Sequence, residues 1–180
     1  NFSRNFFQQD PFIKSPEFSK KFILIKKNYN EIDTHILNLL EINTIIHFAA
    51  YVSIDESMRS PFEYFENNEA ANFQFIQNIF KTTQQPRLIF ASSPEVYGNP
   101  VRMPMDEEHP MRPRSFYAVT KLAAEKHCMA LFEWYGYPVN VIRNFNTYGE
   151  NQNVWGYSAV IPAFIENALK GKPLKIHGDG

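Results

Sequence analysis

Short runs of β-branched and aromatic residues alternate along this chain with longer segments in which apolar residues recur every three or four positions. The short runs predict strands at residues 22–25, 44–48, 87–91, 139–143 and 174–176. The longer segments predict helices at about residues 32–40, 62–81, 116–135 and 162–170. Strands that alternate with helices indicate consecutive βα units, so the pattern predicts an α/β fold built on a parallel sheet.

One long connection interrupts this alternation. Residues 92–115 carry five prolines between the predicted strand 87–91 and the helix that follows, so we expect an irregular loop. Open parallel sheets bind their ligands beyond the carboxyl ends of the strands, and this loop starts at such an end. We therefore expect a functional loop, with Ser115 capping the next helix and Gly136 ending it.

The composition excludes several classes of protein. The 180 residues are 44% hydrophobic, which is enough for a core, and their formal net charge is −1. Basic and acidic residues are interspersed, so we expect neither a nucleic acid nor a membrane as partner. The single cysteine, Cys128, excludes a disulfide framework and favours a cytoplasmic protein. No spacing of histidines and cysteines indicates a metal site.

Tyr117 and Lys121 are the residues most suited to catalysis. They lie four positions apart on a predicted helix, so both side chains project from one face about a turn apart. A lysine cation beside a phenol favours the phenolate, which can act as a general base on a hydroxyl. The Tyr-x-x-x-Lys motif is weak by itself. However, Ser93 directly follows a predicted strand, so we expect it to meet Tyr117 at the carboxyl edge of the sheet.

Several segments also occur in the order seen in a known enzyme family. They are residues 45–50 (IIHFAA), 55–61, 64–68 (YFENN), 92–98 (SSPEVYG), 117–121 (YAVTK) and 143–149 (RNFNTYG). Together they resemble the extended short-chain dehydrogenase/reductases, and among these the NAD-dependent nucleotide-sugar epimerases and dehydratases, with a pattern closest to the UDP-glucose 4-epimerases. The resemblance implies a Rossmann-like, doubly wound parallel sheet that binds NAD at residues 1–145. It also implies the beginning of a smaller substrate-binding region at residues 146–180.

The same resemblance indicates an incomplete domain. Members of this family begin with a strand, a glycine-rich turn for the pyrophosphate and an acidic residue for the adenosine ribose. Here the first glycine is Gly98, and residues 1–5 resemble the segment just after that acidic residue. We therefore expect that an N-terminal βα unit of about 30 residues is missing. With part of the substrate domain absent as well, we expect this fragment alone to bind NAD poorly and to be inactive.

The resemblance also implies roles for individual residues. Tyr117 matches the catalytic base, Lys121 the residue that holds the nicotinamide ribose and lowers the pKa of the tyrosine, and Ser93 the group that bonds the reacting sugar oxygen. Asn146 matches a contact to the substrate diphosphate. The cofactor-binding positions are, besides Tyr117 and Lys121, Phe48, Ala49, Ala50, Asn67 and Phe145, with Asn28 and Tyr29 at the adenine pocket.

Two positions depart from the pattern of the family. The adenine pocket usually carries Asp-Ile or Asp-Val where this chain has Asn28 and Tyr29. Some 4-epimerases have a lysine at the position of Val52.

The implied reaction begins with oxidation of a nucleotide sugar at C4, and the fate of the keto sugar separates the candidate activities. The 4,6-dehydratases of this family carry an Asp-Glu pair after the Ser/Thr, whereas this chain has Pro94 and Glu95. Because proline cannot donate a proton, we favour a 4-epimerase of UDP-glucose and UDP-galactose or their N-acetyl forms. With Glu95 as a catalytic residue, a 4,6-dehydratase or a UDP-glucuronate decarboxylase stays open, as does a truncated, non-catalytic remnant. The resemblance further implies a homodimer formed through helices 62–81 and 116–135.

Overall fold

The computed structural model describes residues 22–149, 152 and 160–176. Within them three parallel strands form one sheet in the order β1-β2-β3, with β1 paired to β2 and β2 to β3. The strands are β1 (Thr44–His47), β2 (Arg87–Ser92) and β3 (Val139–Arg143). These strands lie where the apolar runs 44–48, 87–91 and 139–143 predicted them. The parallel, Rossmann-like α/β fold is thereby confirmed.

Helices connect these strands, and their ends follow local capping signals. The predicted helix 116–135 is found with those bounds: Ser115 Oγ accepts a hydrogen bond from the Ala118 amide at 3.1 Å, and Gly136 ends the helix with φ 64°. The helices are α1 (Thr34–Leu39), α2 (Ile54–Arg59), α3 (Pro61–Tyr64), α4 (Ala71–Phe80), α5 (Phe116–Tyr135) and α6 (Val160–Leu169). A π-helical segment (Phe65–Ala70) joins α3 to α4, and single 3-10 turns occupy Tyr29–Glu31 and Pro94–Tyr97.

The hydrophobic core is formed by α4, α5 and the strands. Apolar side chains of α4 and α5 meet those of β2, because each helix buries one face against the sheet. Its buried members are Leu37, Phe75, Ile76, Ile79, Leu88, Phe90, Ala124, Cys128 and Tyr137. Full burial of a large apolar side chain contributes about 1.5–3 kcal/mol to stability, so this cluster rigidly fixes α5 on the sheet.

Three predictions about local structure were wrong. Residues 22–25 and 174–176 are not strands, and the side chains of Ile23 and Ile176 are 75% and 66% exposed. A strand needs a hydrogen-bonded neighbour, and in the described ranges no strand lies beside either segment. The loop 92–115 is not wholly irregular either, since Pro94 starts a 3-10 turn, where its fixed φ and missing N–H are tolerated.

The chain divides into two compact units, Asn1–Arg143 and Asn144–Gly180. The first contains the sheet with α1 to α5, and the second contains α6. No helix in the described part of the chain combines the length and apolar character that a bilayer crossing requires. Among the same residues, no three His, Cys, Asp or Glu side chains cluster as a metal site would require.

The loop that follows β2 is folded onto itself by polar contacts. His109 is 1% exposed, and its Nε2 accepts the Val101 amide at 2.9 Å while its Nδ1 lies 3.1 Å from the Pro110 carbonyl. The Arg112 amide donates to the Tyr97 carbonyl at 3.3 Å. These bonds return the loop to the turn at Pro94–Tyr97.

Gly98 is expected to be indispensable for this loop. Its φ is 67°, and a Cβ built there would lie 2.0 Å from the Arg112 carbonyl oxygen. Gly98→Ala should therefore lower the free energy of unfolding by about 2–4 kcal/mol, through backbone strain and overpacking together. Gly136→Ala is the matched control: φ is 64° but nothing lies within 4 Å, so about 1 kcal/mol is expected. Equal losses in urea denaturation of the two variants would contradict this account.

Candidate active site

The predicted catalytic residues lie at the carboxyl edge of the sheet. Ser93 directly follows β2, and Tyr117 is the second residue of α5. Ser93, Tyr117 and Lys121 are 6%, 8% and 4% exposed. The Lys121 ammonium donates a hydrogen bond to the carbonyl of Ala91, two residues before Ser93. This contact fixes the face of α5 that carries Tyr117 and Lys121 against the end of β2.

Lys121 is a buried cation. Its Nζ lies 4.5 Å from the centroid of the Phe90 ring, an arrangement that favours the charged form. Burial nevertheless lowers the pKa of Lys121 to about 8, an effect opposed by interactions with Cys128 and Glu125. A lysine with this pKa is charged at neutral pH and costs free energy to bury.

Tyr117 is held by a second tyrosine to which the sequence analysis gave no role. The ring of Tyr64 meets the ring of Tyr117 edge to face, with centroids 6.4 Å apart and planes at 87°. The Tyr64 hydroxyl accepts the Ser53 amide at 3.0 Å, and it lies 3.4 Å from the Glu56 carboxylate. Burial raises the pKa of Tyr64 to about 12, so this side chain stays protonated and uncharged where it packs against Tyr117.

Ser93 has an extended backbone and caps the 3-10 turn that follows it. Its Oγ accepts the amide of Glu95 at 3.3 Å, which leaves the hydroxyl hydrogen for donation to a second acceptor. Pro94 is the first residue of this turn and Glu95 the second, and both are partly buried. The two residues that follow Ser93 therefore offer the ring of Pro94, which has no ionisable group, and the carboxyl group of Glu95.

The two asparagines of the π-helical segment have different surroundings. Asn67, the predicted cofactor contact, is partly buried, and its amide donates to Asn68 Oδ1 at 2.9 Å. Asn68, to which no role was assigned, is 4% exposed and bonds the backbone of Tyr51 twice, at 2.8 and 2.9 Å. It also lies 3.4 Å from Thr120 Oγ1. Asn68 therefore links the segment after β1 to α5.

The segment after β1 contains the three residues predicted to lie against the dinucleotide, Phe48, Ala49 and Ala50. Ala49 and Ala50 are partly buried, whereas Phe48 is 66% exposed and Val52 46% exposed. Two methyl side chains in succession allow a ligand to approach the backbone closely at this strand end.

The positions predicted for the adenine pocket lie in a 3-10 turn and just before it. Asn28 is exposed and joins Glu31 in a reciprocal capping arrangement. Tyr29 packs edge to face on His47, with ring centroids 4.8 Å apart, and its hydroxyl donates to the Asn67 carbonyl. Tyr29 also lines an apolar groove of about 390 Å³ that runs along β1 between Ile25 and Phe48.

The remaining predicted positions, Phe145 and Asn146, belong to the second compact unit. Both are exposed, Phe145 to 50%. Their roles toward cofactor and substrate stay predictions.

Two charged residues next to the predicted site, Glu125 and Arg143, were assigned no role from the sequence. Glu125 is 2% exposed and forms an ion pair with Arg143 at the end of β3. Glu125 Oε2 also accepts the Ser92 hydroxyl at 2.9 Å. The spacing contained a signal for Glu125, which lies one turn beyond Lys121 and two beyond Tyr117 on the same helix.

Acid is expected to destabilise the sheet through His47. This side chain is 6% exposed at the end of β1, and its pKa is lowered to about 4, chiefly by burial and next by the Lys121 cation. Because the pKa in the folded state lies below its ordinary value, the unfolded chain takes up the proton first. The free energy of unfolding should thus fall by about 3 kcal/mol between pH 6.5 and 4.

Urea denaturation of wild type and His47→Gln between pH 7 and pH 4 measures this contribution. The variant should lose about 3 kcal/mol less than wild type over this range. His35→Gln, at an exposed position on α1, is the control and should follow wild type. An unchanged pH dependence in His47→Gln would contradict the assignment.

The described residues fit the nicotinamide half of a dinucleotide. The Lys121 ammonium has three N–H groups and bonds the Ala91 carbonyl, so it has donors left for ribose hydroxyls. Ala49 and Ala50 would allow close approach to the backbone. The groove beside Tyr29 is apolar, and no glycine precedes Gly98, so these residues provide no cradle for a pyrophosphate.

Known proteins resemble this chain along almost its whole length. The model of the GDP-mannose 4,6 dehydratase family matches residues 4–180. A trifunctional UDP-glucose 4,6-dehydratase/UDP-4-keto-6-deoxy-D-glucose 3,5-epimerase/UDP-4-keto-L-rhamnose-reductase of Arabidopsis thaliana is 36% identical over 174 residues. The match covers 95% of this chain and 25% of the plant protein, so the chain spans about a quarter of that relative.

Two solved structures show the same fold. UDP-N-acetylglucosamine 4-epimerase from Methanobrevibacter ruminantium M1, in complex with UDP-N-acetylmuramic acid, has a TM-score of 0.80 and 33% identity. The match covers 87% of this chain and 50% of that one. DesIV, a dTDP-glucose 4,6-dehydratase from Streptomyces venezuelae with NAD and TYD bound, has a TM-score of 0.72 and 28% identity over 87% of this chain and 47% of that one. The chain therefore belongs to the GDP-mannose 4,6-dehydratase family, whose members include the NAD-dependent epimerases and dehydratases of nucleotide sugars.

Proposed function

We propose that the protein containing this chain is an NAD-dependent 4-epimerase of a nucleotide sugar, with UDP-glucose and UDP-galactose or their N-acetyl forms as substrates. The observation that carries the proposal is the buried Tyr117 and Lys121 on one face of α5, held against the strand end that leads into Ser93. The presence of Pro94 next to Ser93 supports the epimerase over the dehydratases, because proline places no proton donor at that position.

The side chains at this edge have distinct tasks. Tyr117, as the phenolate, takes the proton from the sugar 4-hydroxyl, and the adjacent Lys121 cation stabilises that phenolate. The Ser93 hydroxyl donates to the 4-oxygen as it becomes a carbonyl. NAD, when bound, supplies the hydride acceptor and donor for C4. Tyr117 returns its proton to the 4-oxygen once the sugar presents its other face, and C4 is inverted.

A 4,6-dehydratase is the second candidate, favoured by the identity to the plant enzyme and by Glu95. Glu95 is partly buried and lies two residues after Ser93, so its carboxylate is close enough in sequence to serve as a base on the same sugar. A decarboxylase of UDP-glucuronate would use the same carboxylate. A non-catalytic remnant would show none of these reactions.

Product analysis separates the candidates. The full-length gene product is incubated with NAD and UDP-, dTDP- and GDP-sugars, and product mass and C4 configuration are followed by mass spectrometry and NMR. We expect an unchanged mass with C4 inverted, and Glu95→Gln should keep most of this activity. Loss of water or of carbon dioxide, abolished by Glu95→Gln, would overturn the epimerase in favour of the lyases. The absence of any reaction would favour the remnant.

We also propose that the enzyme is a homodimer formed through α3, the π-helical segment and α4 on one side and α5 on the other, that is, through residues 62–81 and 116–135. Aromatic side chains on these elements are exposed, among them Phe62 at 66%, Phe65 at 45% and Phe116 at 46%. The rings of Phe62 and Phe65 lie 6.2 Å apart and form a small apolar patch. Such a patch suits a two-fold interface between copies of one chain.

Phe62→Glu is expected to shift the full-length protein from dimer to monomer in sedimentation velocity at micromolar concentration, because a charge would enter an apolar interface. Leu39→Glu is the control: Leu39 is 71% exposed on α1, a helix outside the proposed interface, and the dimer should persist. A monomeric wild type would refute the dimer.

Finally, we propose that the enzyme works in the cytoplasm. Cys128 is a free, fully buried thiol, and a fold whose sequence offers a single cysteine does not depend on an oxidising compartment. Fractionation of cells that express the native gene is expected to place the protein with the cytosolic markers. Recovery with a membrane or secreted fraction would contradict this.

A further inference from the structure

A cluster of polar side chains beneath the predicted catalytic residues has no part in the mechanism above. Its centre is the carboxylate of Glu125, which accepts the Ser92 hydroxyl at 2.9 Å and Arg143 Nε at 3.2 Å, and also binds Arg143 Nη2. A carboxylate that is 2% exposed must be paired to remain charged, and these donors satisfy that requirement.

The position of Glu125 connects it to the site in two ways. It lies on the face of α5 that carries Tyr117 and Lys121, one turn beyond the lysine. Lys121 binds the carbonyl of Ala91, and Glu125 binds the side chain of Ser92. Lys121 and Glu125 thus form hydrogen bonds with two consecutive residues of β2, Ala91 and Ser92, and the residue that follows them is Ser93.

Arg143 extends the cluster to the loop that follows β2. Its Nη1 donates to the Tyr97 hydroxyl at 2.7 Å and to the Glu107 carbonyl at 3.2 Å. Its guanidinium also lies 4.8 Å from the centroid of the Tyr97 ring. Tyr97 ends the 3-10 turn that begins at Pro94, so Arg143 ties Glu125 to the turn that carries Glu95.

Glu125 also contributes to the electrostatic surroundings of Lys121. Among the described residues, Glu125 and Cys128 of its own helix and His47 at the end of β1 interact electrostatically with Lys121, and Tyr117 lies one turn before it on the same helix. Burial raises the pKa of Cys128 to about 12 and lowers that of His47 to about 4, so both are neutral at pH 7. Glu125 is the carboxylate among these groups, and its hydrogen-bond donors are the Arg143 guanidinium and the Ser92 hydroxyl.

We propose that Glu125 and Arg143 are positioning residues for the reaction, with the Glu125 carboxylate holding the strand end that carries Ser93 and keeping Lys121 protonated beside Tyr117. The inference rests on the proposed function. A buried ion pair is not the cheapest way to stabilise a fold, since apolar residues of the same volume often serve as well. Here both charges contact the elements that present the catalytic groups, and this gives the pair a role beyond stability.

The charge effect is measured without turnover. In the full-length protein labelled with ¹³C-lysine, the Lys121 Cε signal is assigned with Lys121→Arg and followed against pH. Glu125→Gln removes a negative charge near Lys121, so we expect the pKa of Lys121 to fall by about one unit. Glu125→Asp keeps the charge and should restore most of the difference, and Glu133→Gln, at an exposed position of α5, should leave the pKa unchanged.

The positioning effect is measured in kinetics. Glu125→Gln should lower kcat about tenfold with little change in KM, and the alkaline limb of the pH profile should move down together with the pKa of Lys121. Ser92→Ala is the second variant, because it removes a single oxygen atom and is expected to leave the fold intact. Ser92→Ala should lower kcat without changing the pKa of Lys121, because it removes the hydrogen bond between β2 and Glu125 but keeps the Glu125 carboxylate.

The possible outcomes distinguish a positioning role of Glu125 and Arg143 from a merely structural one. A Glu125→Gln variant that loses thermal stability while kcat and the pKa of Lys121 stay unchanged would overturn the inference and make the pair merely structural. Unchanged kcat in Ser92→Ala would overturn the positioning of Ser93. A wild type that converts no nucleotide sugar would refute the proposed function instead, and the lysine titration would still decide the electrostatic role of Glu125.

Discussion

Tyr117→Phe is expected to lower kcat by about 100- to 10,000-fold, the usual contribution of a positioned general base. The change removes one oxygen from a side chain that is 8% exposed and leaves the ring against Tyr64. Packing should therefore persist, and NAD binding by the full-length protein should be retained. Steady-state kinetics on the best nucleotide sugar, together with calorimetric titration of NAD, measure the two effects.

Tyr137→Phe is a matched control for this experiment. Tyr137 is 1% exposed, and its hydroxyl donates to the Pro86 carbonyl at 2.6 Å, at the end of the sheet opposite to Ser93. This variant should lose about 1 kcal/mol of stability and keep its kcat. If Tyr117→Phe lost only as much kcat as Tyr137→Phe, Tyr117 would not be the base.

The parts of the fold that local chemistry determines could be predicted from the sequence. Helix α5 was placed from Ser115 at its start and Gly136 at its end, and the structure has both caps. Three apolar runs bounded by turn residues became strands because neighbouring strands lie beside them. Residues 22–25 have the same composition without such a neighbour in the described part, and pairing is a tertiary property that no window of sequence contains.

The π-helical segment could not be predicted for a related reason. A helical period of 3.6 continued from Pro61 does not include the wider turn at Phe65–Ala70, which shifts the buried face of the following helix. Asn68 is buried there because it bonds both backbone groups of Tyr51, a partner 17 residues away. A polar residue at a core position is unfavourable until such a partner is known.

The candidate catalytic residues are easier to recognise in the sequence than the residues that contact them. Tyr117 and Lys121 have a spacing that makes chemical sense alone, and Ser93 follows a strand. Glu125 and Arg143 are 18 positions apart and acquire meaning only when α5 and β3 are side by side. Sequence patterns thus indicate candidate groups that could act on a substrate, whereas the side chains that contact those groups are recognised only once the fold is known.

Lys121→Met is expected to change activity and stability in opposite directions. Burial lowers the pKa of Lys121 to about 8, so at pH 7 the folded wild type contains a charged group removed from water, which lowers its stability. The substitution removes that charge. The free energy of unfolding should rise by about 1–3 kcal/mol at pH 7. The kcat should fall by about 100-fold or more, because the phenolate of Tyr117 loses its cation.

The pH dependence tests the cause of this gain. The folded-state pKa of Lys121 lies below the ordinary value of 10.5, so the unfolded chain holds the proton more tightly and the stability of wild type rises between about pH 8 and 10.5. The advantage of Lys121→Met in urea denaturation should therefore shrink over that interval. Lys126→Met, at an exposed position of the same helix, should match wild type in stability and kcat. A Lys121→Met protein less stable than wild type at pH 7 would contradict this account. It would mean that the hydrogen bond from Lys121 to the Ala91 carbonyl stabilises the fold by more than burial of the charge destabilises it.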